Sequence, residues 1–152
     1  MEDIQITAVS GAVSPAEADE ELLKALGTMT VRFNVLENYL STLIATKSHM
    51  LLIGPSYDYI SKEMMFFQKI KLAATHLTEP IRNRLMELNN RRNKIIHGLY
   101  STNGATGQIS LSYKNEVIEN LNEFVNSISE EISALSIEIH NVIIYPHKLG
   151  GN

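Results

Sequence analysis

Glu79-Pro80-Ile81-Arg82-Asn83-Arg84-Leu85-Met86-Glu87-Leu88-Asn89-Asn90-Arg91-Arg92-Asn93-Lys94-Ile95-Ile96-His97-Gly98-Leu99-Tyr100 reads as a helix with a charge in its apolar seam. Ile81, Leu85, Leu88, Arg92, Ile95 and Leu99 follow one another at alternating steps of four and three, the rhythm of a single helix face packed on its neighbours. Arg92 thus occupies a position where the pattern demands an apolar residue, and a charge there is costly unless it is paired or meets a second surface. Asn93 and His97 are four apart, one turn above each other on an adjacent face. An Arg, an amide and an imidazole gathered at the end of one helix form a candidate reactive cluster.

Working towards the N-terminus, Thr78 with Pro80 in the first turn marks where this helix begins. Before it, Ile60, Met64, Met65, Phe66, Phe67 and Ile70 cover a broad face and predict a helix from about Tyr59 to His76, its Met and aromatic content reading as core. Gly54-Pro55-Ser56 breaks the chain ahead of that. Leu22, Leu26, Met29, Phe33, Leu36, Leu40 and Leu43 keep the same rhythm in a long first helix, which starts at Ser14-Pro15-Ala16-Glu17 and runs to about Lys47. Gly27 falls off its stripe, where it bends the helix or admits a close neighbour, and Glu37 flanks the seam as a partner for a buried Arg.

Towards the C-terminus, Gly98 closes the motif helix and Asn103-Gly104 and Thr106-Gly107 are turn chemistry. Gln108 to Tyr113 alternates polar and apolar, in keeping with a short strand or hairpin. A last helix is expected from near Ser112 or Asn115, with the stripe Ile118, Leu121, Val125, Ile128, Ile132, Leu135, Ile139 and Val142, stopped by Pro146. The expected fold is therefore all-α: an up-and-down four-helix bundle with a short loop or β-hairpin between helices 3 and 4. Residues 1–13 and 146–152 read as tails around a helical domain over 14–145.

Composition narrows the function. The 152 residues are enough to bury a core, and 44% hydrophobic with 20% charged residues is a globular balance. With no Cys there is no thiolate metal site, and the absence of a signal-like N-terminus or a long apolar run predicts a cytoplasmic protein without membrane contact. A net charge of −4 excludes coating of nucleic acid by bulk electrostatics. Five of the 13 basic residues, however, lie in the motif helix: Arg82, Arg84, Arg91, Arg92 and Lys94. For Arg82 and Arg84 a solvated face is expected; the remainder suit a phosphate-bearing ligand held at one place. None of His49, His76, His97, His140 and His147 forms a pair at helical zinc spacing, so neither metal nor cofactor is expected. Serine-nucleophile and phosphate-loop patterns are absent.

Arg92-Asn93-Lys94-Ile95-Ile96-His97, at the close of a seam-forming helix, resembles the signature of the HEPN superfamily, an Arg, usually followed by a polar residue, and a His with four to six residues between. The resemblance follows helix order over most of the chain and is specific over Arg92 to Tyr100. Arg91 also fits, with one more intervening residue. The resemblance implies a metal-independent endoribonuclease with Arg92 and His97 as catalytic residues, built where two copies of the motif meet in a homodimer. Many such proteins belong to toxin–antitoxin, phage-defence or RNA-processing systems, so RNA as substrate and an antitoxin or other protein partner are implied too. In one branch an aromatic stands two residues after the His; here that place is Leu99 and the aromatic is Tyr100, so a role tied to that ring does not carry over. In the chemistry implied, His97 is the base on the ribose 2′-hydroxyl or the acid on the leaving oxygen, Arg92 holds the phosphate, and Asn93 orients the imidazole or bonds the substrate. Arg92 and His97 are about 140° apart on a helix, so one chain presents them poorly to a single ligand and a two-fold dimer would reunite them. Two alternatives stand beside this: a non-catalytic HEPN-like module that binds nucleotide, RNA or protein, and a helical dimerisation protein in which Arg92 pairs with Glu37.

Overall fold

A computed structural model describes residues 20–145. The expected helix start at Ser14, both tails and the stop at Pro146 lie outside the described residues. The first helix, α1 (Glu20–Lys47), buries Leu22, Met29, Phe33, Leu36, Leu40 and Leu43, the stripe that its periodicity marks. Gly27 has open space around it, so no close neighbour accounts for it.

The helix expected over Tyr59–His76 is in pieces. A short α2 (Pro55–Asp58) runs into a π-helical turn (Tyr59–Glu63), after which Met64 and Met65 are extended, with ψ of 132° and 150°. Helix α3 (Phe66–Ala73) then starts afresh, the Gln68 side chain accepting the Met65 N–H at 3.0 Å, and a 3₁₀ turn (Ala74–His76) follows. The break lets Phe66 turn into the core against Phe33, ring centroids 4.5 Å apart. Helix α4 (Glu79–His97) begins after Thr78, whose side chain makes no capping hydrogen bond, and Pro80 sits in its first turn.

Between α4 and the last helix the chain folds into a sheet larger than the expected hairpin. Strands β1 (Leu99–Thr102), β2 (Ile109–Tyr113) and β3 (Glu116–Ile118) are antiparallel in that order, with Tyr100 opposite Leu111 and Leu111 opposite Ile118. Two expectations are corrected here. Leu99 leaves the helical stripe and is exposed, and Ile118 belongs to β3, so α5 (Leu121–Ile144) starts later than its periodicity suggests. Both residues continue a helical rhythm by numerical coincidence, and strand pairing overrides it.

The up-and-down topology is also corrected. Arg32 meets Ser129 and Tyr39 meets His140, so α1 and α5 run the same way. Phe33 meets Phe66 and Glu37 meets Lys69, so α3 runs with them. Arg84 reaches Glu131 and Glu138 while Arg91 reaches Ser127, so only α4 opposes α5. The segment from residue 48 to 65 is long enough to return the chain before α3 begins, which removes the antiparallel rule that short connections impose.

Gly98 joins α4 to the sheet at a point with no room for a side chain. A Cβ there would overlap the Leu111 side chain, which is fully buried on β2, and the Lys94 carbonyl oxygen. Its backbone is ordinary, so close approach and not φ demands glycine. Gly98→Ala should therefore lower stability by roughly 1–3 kcal/mol, the cost of overpacking a filled site. A urea midpoint unchanged from wild type would show that β2 does not press on the end of α4.

Candidate functional site

Four of the five basic residues of α4 serve the fold. Arg82 donates to the carbonyls of Ala74 (3.0 Å) and Leu77 (2.8 Å), closing the turn between α3 and α4. Arg84 bridges Glu131 (2.7 Å) and Glu138 on α5. The hydrogen bond it donates to Glu131 is the largest influence on the Arg84 guanidinium and holds its pKa above the ordinary value, burial working against it. Neither residue is the solvated charge that the sequence suggests. Arg91 donates to the Ser127 hydroxyl and lies 5.4 Å above the Phe124 ring, so it too is turned to α5. Lys94 pairs with Glu116 on β3 at 2.6 Å.

Arg92 is different. Its guanidinium lies 4.1 Å over the Phe33 ring and faces a cleft of about 480 Å³. Glu37 from α1 lines this cleft, as do Met64 to Phe67 at the helix break and Asn89, Arg92, Asn93 and His97 from α4. The structure thus brings together Arg92, Asn93, His97 and Glu37, and leaves Arg91 and Tyr100 outside the cleft. The Tyr100 hydroxyl donates to the Ile95 carbonyl at 2.9 Å, tying β1 to α4, and burial pushes its pKa up. His97 is exposed at the lip.

Two features of the cleft escape the sequence reading. Met64, Met65 and Phe67 are wall residues, with Met65 69% exposed, and only Phe66 of that run is buried core. Lys69, 1% exposed, sends its ammonium to Glu37 Oε2 (3.5 Å) and to the Ser61 carbonyl (3.2 Å). The expected Arg92–Glu37 ion pair is therefore a weaker, longer-range attraction. Burial is the main influence on Arg92 and draws its pKa down, and the Glu37 charge opposes this. A guanidinium is basic enough that it still carries its charge near neutral pH.

Glu37 is engaged by Lys69 from beneath the cleft, so Arg92 faces the opening without a closed ion pair. The exposed face of the cleft offers a planar guanidinium, an amide and an imidazole, a set that binds a phosphate and moves a proton beside it. Among the described residues, no group of three or more His, Asp or Glu side chains gathers to hold a metal ion.

The Lys69–Glu37 pair has a direct test. Glu37→Gln strands a buried ammonium and should cost roughly 1–3 kcal/mol, reduced from the value for a sealed pair because Glu37 is 26% exposed. Adding Lys69→Met removes the stranded charge and should recover most of that loss in a double-mutant cycle by urea unfolding. Additive losses would show that the two side chains are energetically independent.

Comparison of the chain with known protein families, with curated proteins and with solved structures finds no match. The functional reading therefore rests on the motif and on the geometry of the cleft.

Proposed function

We propose that the chain is a metal-independent endoribonuclease of the HEPN type, acting as a homodimer on RNA. The observation that supports it is that Arg92, Asn93 and His97 line one cleft while the neighbouring basic residues of α4 are engaged elsewhere. Arg92 holds the scissile phosphate through paired N–H groups and stabilises the charge that grows on it. His97 takes the proton of the 2′-hydroxyl, the 2′-oxygen bonds to phosphorus, and the bond from phosphorus to the 5′-oxygen breaks. The leaving oxygen needs a proton in return, and the products are a 2′,3′-cyclic phosphate and a 5′-hydroxyl end.

One imidazole cannot take a proton and give one in the same step. A second copy supplies the other imidazole, and the surface around His97 suits such a contact. Ile96 and Leu99 are 49% and 59% exposed beside it, an apolar margin around an exposed site residue. A role in a toxin–antitoxin or defence system, with an antitoxin or another protein as partner, belongs to the same proposal. No helix among the described residues is long and apolar enough to cross a membrane.

The experiment is cleavage of mixed RNA by the purified protein in excess EDTA, with end-group analysis of the products. Cyclic phosphate ends are expected, and a 2′-deoxy substitution at the cut site should block the reaction. His97→Ala should lower the rate by about 10²–10⁴, the contribution of a positioned acid or base, with little change in melting temperature. Arg92→Ala should abolish cleavage, while Arg91→Ala should weaken the fold through α5 and keep cleavage. Activity that needs added magnesium, or that survives in His97→Ala, would overturn the proposal. Binding of RNA without cleavage would favour the non-catalytic module.

A further inference from the structure

A second cleft, of about 590 Å³, lies between α4 and the turn joining β2 to β3. Asn93 lines both clefts, so they share a wall at the residue next to Arg92. Their chemistry differs. Lys94 and Lys114 are balanced by Glu87 and Glu116 in the second cleft, and the Lys94–Glu116 pair is closed at 2.6 Å. A neutral cleft of this kind is no track for a polyanion. It does offer three amides, Asn90, Asn93 and Asn115, each able to donate and accept, and the half-buried ring of Tyr113.

Amides and carboxylates beside an aromatic ring are what an unpaired nucleobase requires. The base stacks on the ring, and its edge exchanges hydrogen bonds with fixed donors and acceptors. The turn that carries these groups is held in an uncommon conformation. Lys114 has φ of 55°, left-handed for a residue with a long side chain, and its ammonium lies 5.3 Å over the Tyr113 ring. That ring face is thus already used to hold a cation, and a stacked base would displace the lysine from it.

We infer that the second cleft is a nucleobase subsite, which holds one unstacked base of single-stranded RNA next to the phosphate cleft and sets base preference. The inference rests on the ribonuclease reading for its substrate class. It separates the two tasks by how the charges are engaged: the cleft where Arg92 is not closed in an ion pair takes the phosphate, and the one whose lysines are balanced by carboxylates reads the neighbouring base.

The test uses His97→Ala protein, which holds RNA without cutting it, and fluorescence anisotropy with short labelled single-stranded homopolymers of each base and with a duplex. Single strands should bind more tightly than the duplex, and one base more tightly than the others. Adding Tyr113→Ala should raise Kd for the preferred strand by roughly 5- to 100-fold, the range expected for losing one base–aromatic stack. Tyr113→Phe keeps the ring and should restore binding, which separates stacking from a loss of fold. Asn115→Ala should narrow the difference between bases. Equal binding of all four homopolymers, or a Kd unmoved by Tyr113→Ala, would overturn the subsite. Cleavage assays with His97 intact distinguish this from failure of the main reading. If the wild type cuts RNA with a KM that Tyr113→Ala leaves unchanged, the subsite is wrong and the nuclease stands. If the wild type never cuts, yet base-selective binding depends on Tyr113, the subsite stands and the catalytic reading fails.

Discussion

A guanidinium in the apolar seam of α4 is the constraint around which this molecule is arranged. Full burial of an unpaired Arg92 would cost several kcal/mol, so the packing beside it opens into a cleft and supplies an aromatic face. Phe33 from α1 takes the guanidinium on its ring, and Phe66 packs on Phe33 with ring centroids 4.5 Å apart. Phe66 reaches that place only because the chain breaks at Met64–Met65 and begins α3 anew. The irregular second helical segment is thus the counterpart of one charged residue on another helix.

The carboxylate nearest that charge is managed separately. Glu37 would neutralise Arg92 if it paired with it directly, and a neutralised guanidinium has little left for a phosphate. Lys69 takes up Glu37 instead, from a buried position where its own charge needs that partner and the Ser61 carbonyl. The attraction left between Glu37 and Arg92 offsets part of the desolvation of the guanidinium without sealing it. Two buried or half-buried cations thus share one carboxylate.

The remaining charges of α4 show how one helix divides its work by face. Residues turned to α5 (Arg84, Arg91) and to the sheet (Lys94) hold those elements in place, and Arg82 closes the turn before the helix. Adjacent residues on a helix point about 100° apart, so Arg91 and Arg92 are neighbours in sequence that serve different surfaces. The basic cluster is therefore a single site residue among structural ones. This agrees with the proposal that an acidic protein engages a phosphate at one point.

Much of this was legible from residue order alone. The four-three rhythm located α1, α4 and most of α5, because a helix with one buried face repeats its apolar residues at 3.6 per turn. The same rhythm exposed Arg92 as an anomaly, and the four-residue step placed Asn93 with His97. Periodicity failed where no single face is buried: the apolar run from Met64 to Phe67 has no phase, so neither the break nor its place in the cleft wall was visible. It also failed where strand pairing decides, as at Leu99 and Ile118, since hydrogen bonds to distant residues outweigh a local rhythm. The shared direction of α1, α3 and α5 depends on how the chain returns between residues 48 and 65. Lys69 lies 32 residues from Glu37, and the second cleft joins α4 to a turn well beyond the end of that helix in sequence, so both exist only in three dimensions. Local repetition is written in the order of residues; which charge meets which carboxylate is settled only when separate helices pack.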